Sequence, residues 1–334
     1  MKKQNKKKNR KILLSLILVL FIGIILTAST YTWFTANKTV TVNQLDVNVS
    51  TSTGLQVSVD AKDWKTVITK DDILNASTTY ATATNQIPSG ATTPVSSAGE
   101  VDSKTGFMKM FRGTLAAGSS EKLQLTAEQV TEENGANGDF IAFDLFFQTN
   151  EEMPVQLTSN SNVIAGNTDT AIENAGRVAF LPQGNAAAGA DPDTEIQPLK
   201  ASDSKGLKIW EPNFDVHTAA AVQNAKNSYG ITTTQTGGSL LKYYGVKADI
   251  AEGVDVNSQD STYFTDMAAS GFITSSPKAG IPTTAYLNVF TLKPGITKIR
   301  VYMWVEGQDV DCENNASGGD LSFNLQFSAL TESA

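Results

Sequence analysis

The sequence contains a single cysteine, Cys312, and a single histidine, His217. One thiol cannot close a bridge within a chain, so no disulfide framework holds this fold. The same scarcity argues against a structural zinc site, which draws three or four ligands mainly from Cys and His. A Ser-His-Asp or Cys-His hydrolytic site would have to be built on His217 alone. Charged residues make up only 18% of the 334 residues while hydrophobic ones reach 40%. That balance rules out a disordered acidic tail and leaves enough apolar matter to bury a core.

Acidic residues are absent before Asp46, and this absence sets off the start of the chain. Seven basic residues lie in MKKQNKKKNRK, and the 17 residues from Ile12 to Ala28 that follow carry no charge. A positive segment, an apolar run and the small residues Thr27, Ala28 and Ser29 match a secretory signal peptide. The run also reaches the roughly 17 residues needed for a transmembrane helix. Residues 1–29 are therefore either a cleaved signal peptide or a retained signal anchor. Positive charge before the run places the N-terminus inside and residues 30–334 outside the cytoplasm, secreted or at the cell surface. No Cys follows the run to carry a lipid anchor, and the near absence of Cys suits an exported protein of a bacterium with a single membrane. Without the first 11 residues, 19 basic residues remain against 34 acidic ones, a net charge near −15. Such a surface repels phosphate backbones, which sets nucleic acid aside as a partner.

The remainder reads as strands. Val40, Val42, Leu45, Val47 and Val49 recur near period two, with a slip between Val42 and Leu45 that predicts a bulge or a short break. LQVSVDA, DFIAFDLFFQTN, ITKIRVYMWVEG and DLSFNLQFSA alternate in the same way. Lys293-Pro294-Gly295 is a turn signal that predicts a hairpin between TAYLNVFTL and ITKIRVYMWVEG. The alternation predicts antiparallel sheets with one wet face. Trp33, Trp64, Trp210 and Trp304 could stack on sugars, and Trp304 shares a strand face with Arg300 and Glu306, but core or interface packing is the default for all four. Short helices are expected near Asp71 and over HTAAAVQNAKNSYG, the second ended by Gly230. Residues 76–99 and 160–206 read as loops. The expected architecture is mainly β: a jelly-roll-like antiparallel β-sandwich over 30–334, with an irregular insertion at about 160–284, preceded by one N-terminal apolar helix.

TYTWFTANKTVTVNQLDVNV directly follows the apolar run. It resembles the segment after the signal in the TasA/camelysin group of exported Gram-positive proteins. There a small-residue stretch leads into an aromatic-Phe-Ser/Thr element, then a polar stretch and a Leu-Asp-hydrophobic strand. Here these are Thr30 to Thr35, Asn37 to Asn43, and Leu45-Asp46-Val47. The resemblance covers about 25 residues and departs from the group at Ala36, where an Asp is usual. It implies processing by a dedicated signal peptidase, a jelly-roll fold, and assembly into extracellular fibres of a biofilm matrix. Camelysin-like members also carry a metalloprotease label. The residues do not support it, because the His-Glu-x-x-His pair is absent and His217 reads as a surface or helix-start histidine.

The acid-rich stretch after the Arg300 strand is the candidate metal site. Asp309, Asp311, Glu313, Asn315, Ser317 and Asp320 fall at loop positions 1, 3, 5, 7, 9 and 12, where oxygen ligands wrap Ca²⁺ in helix–loop–helix sites. Position 6 is Asn314 rather than Gly, position 12 is Asp rather than Glu, and strands flank the loop. A polar connection between the last two strands is therefore the preferred reading, with Cys312 packed inward. No cofactor other than calcium is suggested. The carboxylate pairs Asp71/Asp72, Glu132/Glu133 and Glu151/Glu152 are assigned no chemistry. Trp33 is expected at a membrane interface.

Two functions stand open. The first is a non-enzymatic structural protein that self-associates, with Val40, Val42, Leu45, Val47 and Val49 as a donor strand added to a neighbour's sheet. The second is a membrane-tethered module that recognises glycan or a surface protein through the loops of 160–284.

Overall fold

The computed structural model describes residues 39–49, 55–117, 123–166, 170–237, 244–255, 262–266, 272–273, 287–313 and 318–329. The apolar run, the Thr30–Thr35 element, Trp33, Asn315 and Ser317 lie outside these residues. Among the described residues no helix is long and apolar enough to cross a membrane.

Strands β1 (Thr41–Val49), β2 (Gln56–Ser58) and β3 (Val67–Thr69) precede helix α1 (Lys70–Asn75). After an irregular stretch come β4 (Val101–Asp102), β5 (Phe107–Met108), β6 (Met110–Ala117) and β7 (Leu123–Val130). Next are β8 (Ile141–Thr149), β9 (Met153–Leu157), β10 (Asn162–Ala165), β11 (Gly176–Ala186) and β12 (Lys208–Trp210). Helix α2 (Ala219–Tyr229) leads to the short strands β13 (Tyr244–Val246), β14 (Ile250–Asp255), β15 (Phe264–Asp266) and β16 (Phe272–Ile273). Strands β17 (Leu287–Leu292), β18 (Gly295–Val305) and β19 (Asp320–Ala329) close the described chain.

The protein is mainly β, as expected. One sheet has the order β17-β9-β19-β1-β3, with β10 also paired to β19. The other runs β16-β12-β11-β18-β8-β2. The two meet face to face through Phe147, Phe180, Phe290 and Phe327, whose ring centroids lie 5.2–6.1 Å apart. Alternation puts these side chains there. In β19, Leu321, Phe323, Leu325 and Phe327 point into the core while Asn324, Gln326 and Ser328 remain half-exposed. A third sheet, β14-β7-β6, adds Phe111, Leu115, Leu125, Ala127 and Ile250 to the same core.

The local signals at the helices are met. Thr69 caps α1 in a box with Asp72: the Thr69 amide donates to the Asp72 carboxylate and the Asp72 amide donates to Thr69 Oγ1. Thr218 caps α2 by accepting from the Ala221 amide, and Gly230, at φ +67°, ends it in the left-handed conformation. The expected bulge in β1 appears as a register shift between Val42 and Gln44.

Four expectations are corrected. First, the sheets are mixed rather than antiparallel, because β1 pairs with β19, and β12 with β16, in parallel. Period-two alternation reports which face is buried and carries no strand direction. Second, β17 and β18 do not form a hairpin. β17 pairs with β9 in the first sheet, while β18 lies between β11 and β8 in the second. Gly295 makes this crossing at φ +107°, where a Cβ would sit 2.1 Å from the Ala186 carbonyl oxygen. A Pro-Gly turn joins strands across a sandwich as well as along one sheet. Third, part of the loop expected at 160–206 is β11, a central strand of the second sheet. Arg177, Pro182 and Gly184 interrupt its apolar run, yet both of its faces are largely covered. Fourth, the second sheet has no wet face over β8 and β18, and Trp304 is buried there at 3% exposure. A second core of Val95, Met108, Phe140, Leu181, Tyr302 and Trp304 fills the space beneath the irregular stretches that cover that side.

Candidate functional site

Strand β1 occupies a seat made by distant parts of the chain. On one side it follows β19 in parallel from Thr41↔Asp320 to Val49↔Phe327. On the other side Asp46, Val47 and Asn48 pair with β3. Val40, Leu45, Val47 and Val49 are buried in the main core, and Val42 packs against it half-buried. All five residues expected in a donor strand thus line one seat within their own subunit. At its start the strand is held by backbone bonds: Val40 and Thr92 exchange both N–H···O bonds, Thr41 N donates to the Gly319 carbonyl, and Gly318 N donates to the Thr39 carbonyl.

The acid-rich turn lies at the same end of the sandwich, and its described carboxylates have protein partners. Asp309 Oδ2 accepts from Arg177 Nη2 at 2.6 Å, and Glu211 Oε1 lies 3.0 Å from the same nitrogen. Asp311 Oδ2 lies 2.7 Å from His217 Nδ1, and its Oδ1 accepts from the Thr218 amide at 3.1 Å. Glu313 Oε1 accepts from Thr218 Oγ1 at 2.8 Å. Glu306 takes the Trp304 indole N–H at 3.0 Å and the Gln308 amide at 3.1 Å. The α2 N-terminus accordingly faces Asp311 and Glu313, the favourable sign for a helix dipole. Asp320 sits at the first residue of β19, bordering the seat of β1. Among the described residues no group of three or more His, Cys, Asp and Glu side chains is placed to hold a metal ion.

His217 is buried at 5% exposure beside the start of α2, so the surface reading is corrected and the helix-start reading stands. Burial alone would lower its pKa. The hydrogen bond that its Nδ1–H donates to Asp311 and the charges of Asp311, Asp309 and Glu211 outweigh burial and raise it. Burial lifts Asp311 to about 6 despite His217. Both directions mean that the pair keeps its proton to higher pH than its separate members would. Burial pushes Glu211 up to about 8, against the pull of Arg177, and it also raises Glu306. The Nδ1-bound aspartate gives His217 the orientation of a general base. The ring is nevertheless enclosed, and Nε2 makes no hydrogen bond within the described residues.

A second buried network lies on the covered side of the second sheet. Arg300 binds Asp144 at 2.8 Å and also binds Glu132, while Lys298 reaches Asp144 at 3.3 Å. Tyr80 and Tyr302 donate to Asp144 and Glu132, and Lys298 donates to the Gln197 and Leu199 carbonyls. Burial would raise Asp144, but Arg300 and Lys298 hold it below the ordinary range. Two cations meet two carboxylates, so this network is balanced in charge.

Sequence reasoning passed over Arg177, Glu211, Lys298 and Arg300. The signal for them was a charge inside an apolar run, as in GRVAFL and KIRVYMWV, which marks a buried pair when both faces of a strand are covered. Trp210 and Trp304 are buried, and Trp64 packs half-buried against the cluster of Ala61, Tyr80, Phe146, Ile196 and Ile296. Cys312 is buried, as expected. No family model, curated protein or solved structure matches the chain.

Proposed function

We propose that this chain is an exported, non-enzymatic structural protein of the cell surface or extracellular matrix, a fibre or biofilm-matrix subunit that self-associates by exchanging β1 within a jelly-roll-like sandwich. The observation that carries the reading is the seat of β1. A strand at the start of the exported region, bounded on both sides by strands from elsewhere, can leave its own seat and fill the same seat in a neighbour. The exchange preserves every backbone hydrogen bond and every buried Val and Leu, so its net cost is small and its geometry is specified.

A double-cysteine pair tests this. Asn48 and Gln326 are register partners on the half-exposed face. In a chain carrying Asn48→Cys, Gln326→Cys and Cys312→Ala, oxidation of assembled material should give a ladder of covalent multimers. The same chain kept dilute should give intramolecular bonds. Only intramolecular bonds in assembled material, or no bond in either state, would overturn the reading.

The tethered binding module is the second reading. An open groove of about 560 Å³ over β6, β7 and the start of β14 favours it. Arg112, Thr114, Thr126, Gln129 and Asp249 line the groove with groups suited to sugar hydroxyls. Glycan-array binding by the full chain that Arg112→Ala abolishes would support this reading over exchange.

A further inference from the structure

The polar cluster around Arg177 is unbalanced where the one around Arg300 is balanced. Glu211, Glu306, Asp309 and Asp311 are all buried, and among the described residues only Arg177 and His217 oppose these four. Fully ionised, the cluster would carry a surplus of negative charge out of contact with water, an arrangement that strongly disfavours the closed state. Its hydrogen bonding is also incomplete. Glu211 Oε2 and His217 Nε2, both more than nine-tenths buried, make no hydrogen bond within the described residues. Protonation resolves both problems, because a carboxyl proton removes a charge and supplies a donor.

The cluster is connected to β1 by a short strap. Glu306 accepts from the Ser97 amide, and Val95 bonds the backbone of Val305 and Gly307. Three residues before Val95, Thr92 exchanges both backbone bonds with Val40 at the start of β1. Residues 92–97 thus have the acid cluster on one side and the N-terminal strand on the other.

We propose that the Arg177 cluster is a proton-operated latch on β1: with protons on its surplus carboxylates it is closed and holds the strap against Val40, and loss of those protons loosens the strap and frees the strand. The titrating group on which the latch turns is Glu211, with Glu306 second. The other charged groups facing them are Arg177 from β11, His217 at the start of α2, and Asp309, Asp311 and Glu313 from the turn after β18. Glu173, Asp215 and Asp320 lie on the neighbouring segments. The sign follows from linkage. Glu211 binds its proton more tightly closed, near pH 8, than in an opened, solvated state near 4.5. The stabilisation is therefore complete below about pH 4.5 and lost as pH rises to about 8. Burial raises Glu306 in the same direction. The use of the latch in assembly rests on the strand-exchange reading, whereas release of β1 by rising pH does not.

Hydrogen exchange of the full chain across pH 5–9, corrected for the intrinsic rate, reads the latch directly. Opening of residues 39–49 should rise with pH up to about 8, by as much as about tenfold per pH unit for one proton. Opening of β9 and β17, at the far edge of the same sheet, should not share that slope. Glu211→Gln keeps the site uncharged and should flatten the β1 slope. Equal slopes in β1 and β9–β17, or an unchanged β1 slope in Glu211→Gln, would overturn the proposal. If Glu211→Gln does not fold, Glu306→Gln and the wild-type contrast between the two regions decide it. Sedimentation over the same pH series separates the two ideas. Release of β1 with no change in assembly would sink strand exchange and leave the latch, whereas pH-dependent assembly with no release would sink the latch.

Discussion

Replacing Arg177 by Met keeps the apolar stem and removes the guanidinium from between two buried carboxylates, Asp309 at 2.6 Å and Glu211 at 3.0 Å. Breaking a buried pair by deleting one partner costs about 3–5 kcal/mol. Asp309 is left without its cation, and Glu211, which burial holds up at about 8, loses the charge that pulls it down. Urea denaturation of Arg177→Met against the wild type near neutral pH should therefore show a loss of about 3–5 kcal/mol. A loss below about 1 kcal/mol would refute the reasoning that Arg177 is what permits buried carboxylates at this depth.

Phe327→Ala removes the ring that meets Phe147, Phe180 and Phe290 between the sheets; a fall of about 3–5 kcal/mol in denaturant stability is expected, and a change under about 1.5 kcal/mol would contradict the face-to-face packing. Thr218→Ala deletes the cap of α2 and the donor to Glu313, and should cost about 1–2 kcal/mol, with exchange of the first α2 amides rising more than that of β18. Asp144→Asn leaves Lys298 and Arg300 with one carboxylate between them, and thermal unfolding should report a loss of about 3–5 kcal/mol. Calcium in the millimolar range should leave the melting temperature unchanged, because Arg177 and His217 hold the oxygens of Asp309 and Asp311; a rise would reinstate the cation reading.

What was legible in the sequence follows from what one strand can report about itself. Alternation in β1 and β19 shows one buried face, and capping residues show where α1 and α2 begin, because both are local. β11 stayed hidden because coverage on two faces erases the alternation, and its Arg, Pro and Gly imitate a loop. The parallel β1–β19 pair and the crossing at Gly295 were out of reach for a different reason: pairing partners are chosen by the whole core, and no residue within nine positions carries that choice. The same holds for the Arg177 cluster. Asp309 and Asp311 looked like ligands because their spacing was visible, while the cation and the imidazole that face them lie more than 90 residues away in the chain.

Parallel pairing of the first and last described strands also decides how the molecule bears load. The start of β1 and the end of β19 lie at opposite ends of their shared ladder. Tension between residues 39 and 329 pulls the two strands past one another along their length. The bonds from Thr41 to Val49 are then loaded side by side in shear and must fail together, whereas an antiparallel terminal pair would peel open one bond at a time. A chain held at one of these ends and pulled at the other is, in this topology, gripped along its strongest direction.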